Sequence, residues 1–518
     1  MNTVHFLTIP AAIAPDQEIV VCGDLRQTYE KTLGRVQRLA NALGALGVAK
    51  GDRVAVLDTN SARYVEAYFA TSMLGGVFVP LNYRAKADEL EDMVTTAGAR
   101  LLFVGERYVS LVASLRERLV GVTHYVALES SPPGMMPYEA LLAWDAAEVI
   151  EAEVDEDDVN VLMYTSGTTG RPKGVMLTYG DFVAYVCGHT ELADGTPRGS
   201  TLLCVPLYHI AGVTSMMTSL FAGRRLVILP QFDPIAWLDT VQRERITHAF
   251  LVPTMLKRVL DQPEFAHYDC SSLEVLAYGA APMPLPVIRR AVESFPATVG
   301  FINAFGQTET TATVTMLLPE DHRLEGSPVE VERKLRRLSS IGRPLPDVEV
   351  KIVDALGAEV PRGEIGEIAV RTPRMMKGYL AEVDATAQTI IGGWLHTRDL
   401  GWMDEDGYVY LAGRKDDLII RGGENISPAE IEAVLQAHPA IEEAAIIGVP
   451  DLEWGEQVMA IVVRKPGSTL SAEEVTEWCR QRLASFKKPE LVHFVPELPR
   501  NPLGKVLRKD LRQQFVKR

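Results

Sequence analysis

The stretch YTSGTTGRPKG, residues 164–174, places three glycines, four Ser/Thr hydroxyls and two cations in eleven positions, directly after a short apolar run. Such a loop is built to hold phosphate. Glycine lets consecutive backbone N–H groups turn inward, Thr165, Ser166, Thr168 and Thr169 add hydroxyl donors, and Lys173 supplies a mobile ammonium. A Ser/Thr/Gly cluster alone reads as a flexible surface loop. The strand predicted over residues 161–164 and the Pro172-Lys173 ending argue instead for a phosphate grip. The loop is not a Walker A: no GxxxxGK followed by Ser or Thr occurs in the chain, and Gly504-Lys505 is followed by Val506.

Working outward, 518 residues exceed the roughly 250–300 at which a single core stops growing, so more than one domain is expected. A formal net charge of −16 argues against nucleic acid or an anionic membrane surface as a standing partner. Cys22, Cys187, Cys204, Cys270 and Cys479 are scattered, odd in number and form no CxxC pair, which fits buried thiols in a reducing, cytoplasmic compartment. The N-terminus lacks a basic start followed by an apolar core, so no signal peptide is expected. Residues 202–222 are apolar but broken by Pro206, His209 and Gly212; a buried strand, loop and helix is predicted there, and no integral membrane span. The acidic run 155–158 reads as a solvated loop.

Strand and helix patterns alternate over the first four hundred residues, which predicts α/β layering with parallel strands and helical crossovers. Strands are expected at 53–57, 101–104, 225–229 and 249–252, and helices at 61–74 and 233–245. Leu90, Met93, Val94 and Ala97 should form one helix face. From about Ile341 the chain becomes strand-rich, with VEVKIV, GEIGEIAV and GYVYLAG separated by turns, as in an antiparallel barrel-like region. After Arg414 a further α+β unit of about a hundred residues follows. Its first helix should start at Ser427, with Pro428 in the first turn and Glu430 completing a capping box; residues 472–484 should form another.

Four more motifs accompany the loop: FGQTE at 305–309, TRD at 397–399, GRKDD at 413–417 and PRNPLGK ending at Lys505. In this order and along nearly the whole chain they resemble the adenylate-forming superfamily, which includes acyl-CoA synthetases, adenylation domains of peptide synthetases and beetle luciferases. The resemblance implies a large N-terminal domain, 1–413, made of two doubly wound α/β subdomains and a β-barrel-like one. A small mobile α+β domain, 414–518, would swing about a hinge near Asp416.

The resemblance also implies roles for residues. Thr165, Ser166, Gly167, Thr168, Thr169 and Gly170 with Lys173 would hold the β- and γ-phosphates of ATP. Thr308 would contact the α-phosphate, and Glu309, with Thr165, would hold Mg2+, a hard cation that prefers oxygen ligands. Phe305 and Gly306, with Phe in place of the family's more frequent Tyr, would face adenine, which keeps the stacking surface and loses a hydroxyl. Gly279, Ala280 and Ala281 would pass the adenine edge. Asp399 would accept both ribose hydroxyls, assisted by Arg414. Lys505 would bridge the attacking carboxylate and the α-phosphate, then leave so that Gly422 and Gly423 arrive beside the pantetheine arm of CoA. Trp454 matches a position lining that tunnel or is core packing; Lys487 and Lys488 meet CoA phosphates or are simply solvated.

His209 resembles the residue gating the acyl pocket. The segments expected to line it, 210–217, 250–253, 278–281 and 301–305, contain no Asp, Glu, Lys or Arg. A substrate ammonium would lack a partner there. The expected substrate is therefore an apolar monocarboxylic acid, fatty acids of medium or longer chain ahead of aryl or cyclic ones, converted through acyl-AMP to a CoA thioester. A fatty-acyl-AMP ligase loading a carrier protein shares every motif; a luciferase-like oxygenase shares the first half-reaction. A catalytically silent nucleotide-binding protein should have lost Lys505, Glu309 or Asp399, and all three are present. A homodimer is compatible with the chain.

Overall fold

The computed structural model describes residues 1–143, 151–166, 172–422, 424–500 and 504–516. Four sheets organise it. In the first, the parallel strands Arg53–Leu57, Val77–Pro80, Leu101–Val104 and His124–Ala127 are joined by helices that include Ala62–Met73 and Ala87–Ala97. On the second of these helices the buried residues are Leu90, Met93, Val94 and Ala97, the face expected from their spacing. Val77–Pro80 also pairs in parallel with Val159–Ser166. That strand pairs antiparallel with Pro172–Thr178, a return strand that gave no clear sequence signal.

The second sheet has nine strands. Its parallel centre comprises Ser200–Leu203, Arg225–Ile228, His248–Leu251, Val275–Gly279 and Gly300–Gln307, with antiparallel strands at both edges. One continuous apolar core joins both sheets, from Val54 and Phe103 of the first to Leu202 and Leu226 of the second. Helix Ile210–Ala222, broken from its strand by Pro206 and His209, contributes Val213, Met216, Met217 and Leu220 to it. It is a buried crossover, and among the described residues no helix is long and apolar enough to cross a membrane.

The strand-rich segment forms a third sheet, antiparallel throughout, built from Glu349–Val353, Gly366–Arg371, Trp394–Met403, Ile390–Ile391 and Val409–Arg414. A single turn, Lys415–Asp417, leads into the fourth sheet, which begins at Ile419–Arg421 and has apolar clusters of its own.

Local expectations were overruled in the last unit. Ser427 stands at the N-cap of helix Pro428–Gln436, but its hydroxyl donates to the Ala412 carbonyl, and no capping box forms. Glu430 instead accepts from Lys487 at 2.7 and 2.8 Å. Both would be charge-assisted hydrogen bonds to the carboxylate, and here the Lys487 ammonium takes it. The helix expected over 472–484 ends at Arg480.

Candidate active site

Asp399 lies in the register of Trp394–Met403 directly opposite Arg414 of Val409–Arg414, and Arg414 Nε approaches Asp399 Oδ1 to 2.8 Å. Burial pushes the Asp399 carboxyl up, while the charges of Arg414 and Lys505 oppose that. Lys505, ninety-one residues beyond Arg414 in sequence, therefore sits in the same electrostatic field. Its own ammonium is pushed down to about 8 by burial, with Arg414 adding to the effect and Asp399 and Asp417 countering it. The chain delivers it through a turn at Gly504, whose φ of +75° a side-chain-bearing residue rarely adopts. A Cβ there would strike the Thr254 hydroxyl at the start of helix Pro253–Leu260. Beside this contact Lys257 Nζ reaches Glu442 Oε1 at 2.7 Å, tying the last unit to the second sheet.

Glu309 belongs to a single 3-10 turn, Thr308–Thr310, that follows the long central strand Gly300–Gln307. Half-buried, it accepts a hydrogen bond from the Tyr379 hydroxyl at 2.9 Å; burial raises its pKa, and Arg414 and Asp399 act on it with opposite signs. Among the described residues no group of three or more His, Cys, Asp or Glu could hold a metal, so protein donors here amount to the Glu309 carboxylate, with Asp399 acting on it only through its charge. This donor set fits Mg2+, which takes one or two carboxylates and completes its shell with water and phosphate oxygen. When bound with nucleotide, such an ion would neutralise phosphate charge. Thr165 and Lys173 face each other across the hairpin, and Lys173 Nζ lies 5.0 Å from the centre of the Tyr379 ring. Gly167, Thr168, Thr169, Gly170 and Gly423 lie outside the described residues, as does the side chain of Ser166.

The residues expected to face adenine are placed where adjacent backbone is strained. Among the described residues, the non-glycine positions with positive φ are Arg245, Ala280, Thr311, Ala312, Ala381 and Arg398. All but Arg245 fall in or next to GAAP, FGQTE, TRD or the Tyr379 segment, and strain of this kind persists where surrounding structure over-determines the backbone. Added Cβ atoms would run into the Ala304 carbonyl at Gly279 and the Ala312 carbonyl at Gly306, so both positions need glycine for close strand approach. Phe305 is half-buried against the apolar cluster of the third sheet.

His209 precedes helix Ile210–Ala222, its ring 4.3 Å from that of Tyr208. Its Nε2 is buried without a hydrogen-bond partner, and burial, aided by Arg84, drives its pKa down to about 3. The imidazole is neutral at ordinary pH. Trp454 is 47% exposed and so is no core residue; its ring covers the Cα of Gly422, whose N–H donates to the Trp454 carbonyl at 2.8 Å. Lys487 and Lys488 are engaged by Glu430 and Glu490.

Two residues that sequence reasoning missed support Glu309 from behind. Arg374 is fully buried, pairs with Asp347 at 2.8 Å and donates to the carbonyls of Thr310 and Thr313 at 2.9 and 2.8 Å. Tyr379 is the other. A cavity of about 780 Å³ elsewhere, lined by Arg26, Arg225, Arg243 and Arg245, is not a rival site. Arg26, Arg225 and Arg243 already pair with the buried Glu244, and Arg26 and Arg225 with Glu18 as well.

Comparison with known proteins identifies the family of the chain. The profile of the AMP-binding enzymes matches residues 8–380, and that of the AMP-binding enzyme C-terminal domain matches 430–505. A feruloyl-CoA synthase of Amycolatopsis sp. is 38% identical over 512 residues, 98% of this chain and 97% of that protein. An indoleacetate–CoA ligase of Aromatoleum aromaticum is 36% identical over 520 residues, covering 100% and 99%. The crystal structure of the anthranilate CoA ligase AuaEII with anthranoyl-AMP superposes with a TM-score of 0.87 at 28% identity, covering 99% and 97%. The chain belongs to the AMP-binding enzymes of the adenylate-forming superfamily.

Proposed function

We propose that the protein is an AMP-forming acid–CoA ligase for an apolar monocarboxylic acid, using ATP, Mg2+ and CoA. The convergence of Asp399, Arg414, Glu309 and Lys505 in one cluster of interacting charges carries this reading. Asp399 receives the ribose hydroxyls, the hairpin and Lys173 orient the leaving pyrophosphate, and Lys505 spans the two anions whose repulsion opposes attack at the α-phosphorus. His209, held neutral, closes the acyl pocket without adding charge.

The division at 413/414 belongs to the same reading. Asp416, the residue taken as hinge, is held by Arg398, whose Nε donates to it at 2.8 Å, and neighbouring Lys415 reaches Glu367 at 3.0 Å. Releasing these two pairs frees the turn to rotate, which withdraws Lys505 and brings Gly422 and Trp454 to the cleft for thiol transfer.

Among apolar acids we now place aryl-bearing ones ahead of plain fatty acids, reversing the order expected from sequence. The support is the aryl substrates named for the two relatives at 36–38% identity, together with Tyr208, Phe250 and Tyr278 in or beside the segments expected to line the pocket. Pyrophosphate release should be measured over cinnamic, arylacetic, benzoic, fatty, dicarboxylic and amino acids, with CoA or an acyl carrier protein as acceptor. Apolar acids should react, and free CoA should accelerate AMP release. Activity confined to amino acids or dicarboxylates, or acceleration by carrier protein alone, would overturn the reading.

A further inference from the structure

The short segment 374–380 touches both halves of the phosphate site. Arg374 grips the carbonyls just after Glu309, and the N–H of Met376 donates to the Glu309 carbonyl at 2.9 Å. Two residues on, the segment changes partner. Lys377 N–H reaches the Met176 carbonyl at 2.9 Å and Leu380 N–H the Gly174 carbonyl at 2.8 Å, so Gly378–Tyr379 adds an antiparallel edge to the hairpin's return strand. Tyr379 joins the two sets, its hydroxyl 2.9 Å from Glu309 Oε1 and its ring beneath Lys173 Nζ at 5.0 Å.

We propose that this segment is a strap fixing the separation between the phosphate-loop hairpin and Glu309, and that Tyr379 is a positioning residue for the metal-binding carboxylate. By occupying Oε1, the hydroxyl turns Oε2 toward the cleft and stops the carboxylate from folding back onto the nearby Arg414. The ring face holds the Lys173 ammonium by cation–π attraction until phosphate takes it. The strap therefore presets the spacing of two groups that must meet one Mg2+-nucleotide. The inference rests on the reading of Glu309 as the metal carboxylate.

Mn2+ can replace Mg2+ as a paramagnetic probe, with a non-cleavable α,β-methylene ATP analogue and no acid present. Electron paramagnetic resonance then reads metal affinity apart from turnover. Tyr379→Phe keeps the ring and removes the hydroxyl; it should weaken Mn2+ binding to the protein–nucleotide complex by about 10-fold, the scale seen for groups that orient metal ligands. Thermal stability without ligands should stay near wild type. Wild-type Mn2+ affinity in Tyr379→Phe, with loss in Glu309→Gln, overturns the strap and leaves the metal reading intact. Retained affinity in both variants overturns the reading of Glu309. A fall in Tyr379→Phe stability matching its loss of affinity makes the hydroxyl structural and also counts against the proposal.

Discussion

Arg414 and Asp399 are cross-strand partners 2.8 Å apart, so the guanidinium holds the carboxylate in place before any ribose arrives. Asp399→Asn should raise the KM for ATP roughly 10- to 100-fold, the scale of hydrogen bonds to a charged group, with a smaller change in kcat. Steady-state pyrophosphate release measures this. An unchanged KM would remove Asp399 from nucleotide contact.

Lys505→Ala should slow adenylate formation at least about 100-fold while sparing thioester formation from supplied acyl-AMP. The ammonium is needed in its charged form, and its pKa is lowered to about 8, so charge is lost as pH rises through that value. The kcat/KM for adenylation, which reports the free enzyme, should fall on the alkaline side near pH 8. Lys505→Arg should remove that limb. Equal loss of both half-reactions in Lys505→Ala would contradict alternation between two conformations.

Arg374 has no exposed surface, and its loss would strand the carbonyls of Thr310, Thr311 and Thr313 and leave Asp347 with His189 alone among its ion-pair partners in the described residues. Arg374→Met should destabilise the fold by about 3–5 kcal/mol, as breaking a buried ion pair does. Urea denaturation gives the value, and a change under about 1 kcal/mol would show that water replaces the guanidinium.

Asp58, at the end of strand Arg53–Leu57, has its carboxyl raised from 3.8 to about 7, chiefly by burial and then by Glu129. The folded state then holds a proton that the unfolded chain releases near pH 4, so this group weakens the fold as pH climbs from about 4 to 7. Asp58→Asn should be close to neutral at pH 4 and stabilising by roughly 1–3 kcal/mol at pH 8. Denaturation at both pH values tests the sign, and equal effects at both would refute it.

What the sequence disclosed follows from how far apart the cooperating residues lie. The phosphate loop, FGQTE and TRD were legible because each packs its chemistry into a few consecutive positions. Tyr379 and Glu309 are 70 residues apart and Arg374 stands 64 from the carbonyl of Thr310; no local pattern announces such pairs. The helix at Pro428 was foreseen and its cap was not, because Ala412, fifteen residues back, lies on a neighbouring strand and takes the Ser427 hydroxyl. Alternation likewise revealed the parallel strands, whereas the return strand after the phosphate loop begins with proline and shows no such rhythm.

The contact between Gly504 and Thr254 is defined by a missing atom. Shape brings the two surfaces together at this point, and the Lys257–Glu442 ion pair lies beside it, so the fit is selective on approach and light on departure. In the proposed alternation, an arm that comes and goes once per turnover is well served by such a seat, where a strong attraction would trap it. Substitution at residue 504 should therefore act mainly on the frequency of docking, leaving the chemistry of a docked Lys505 as it was.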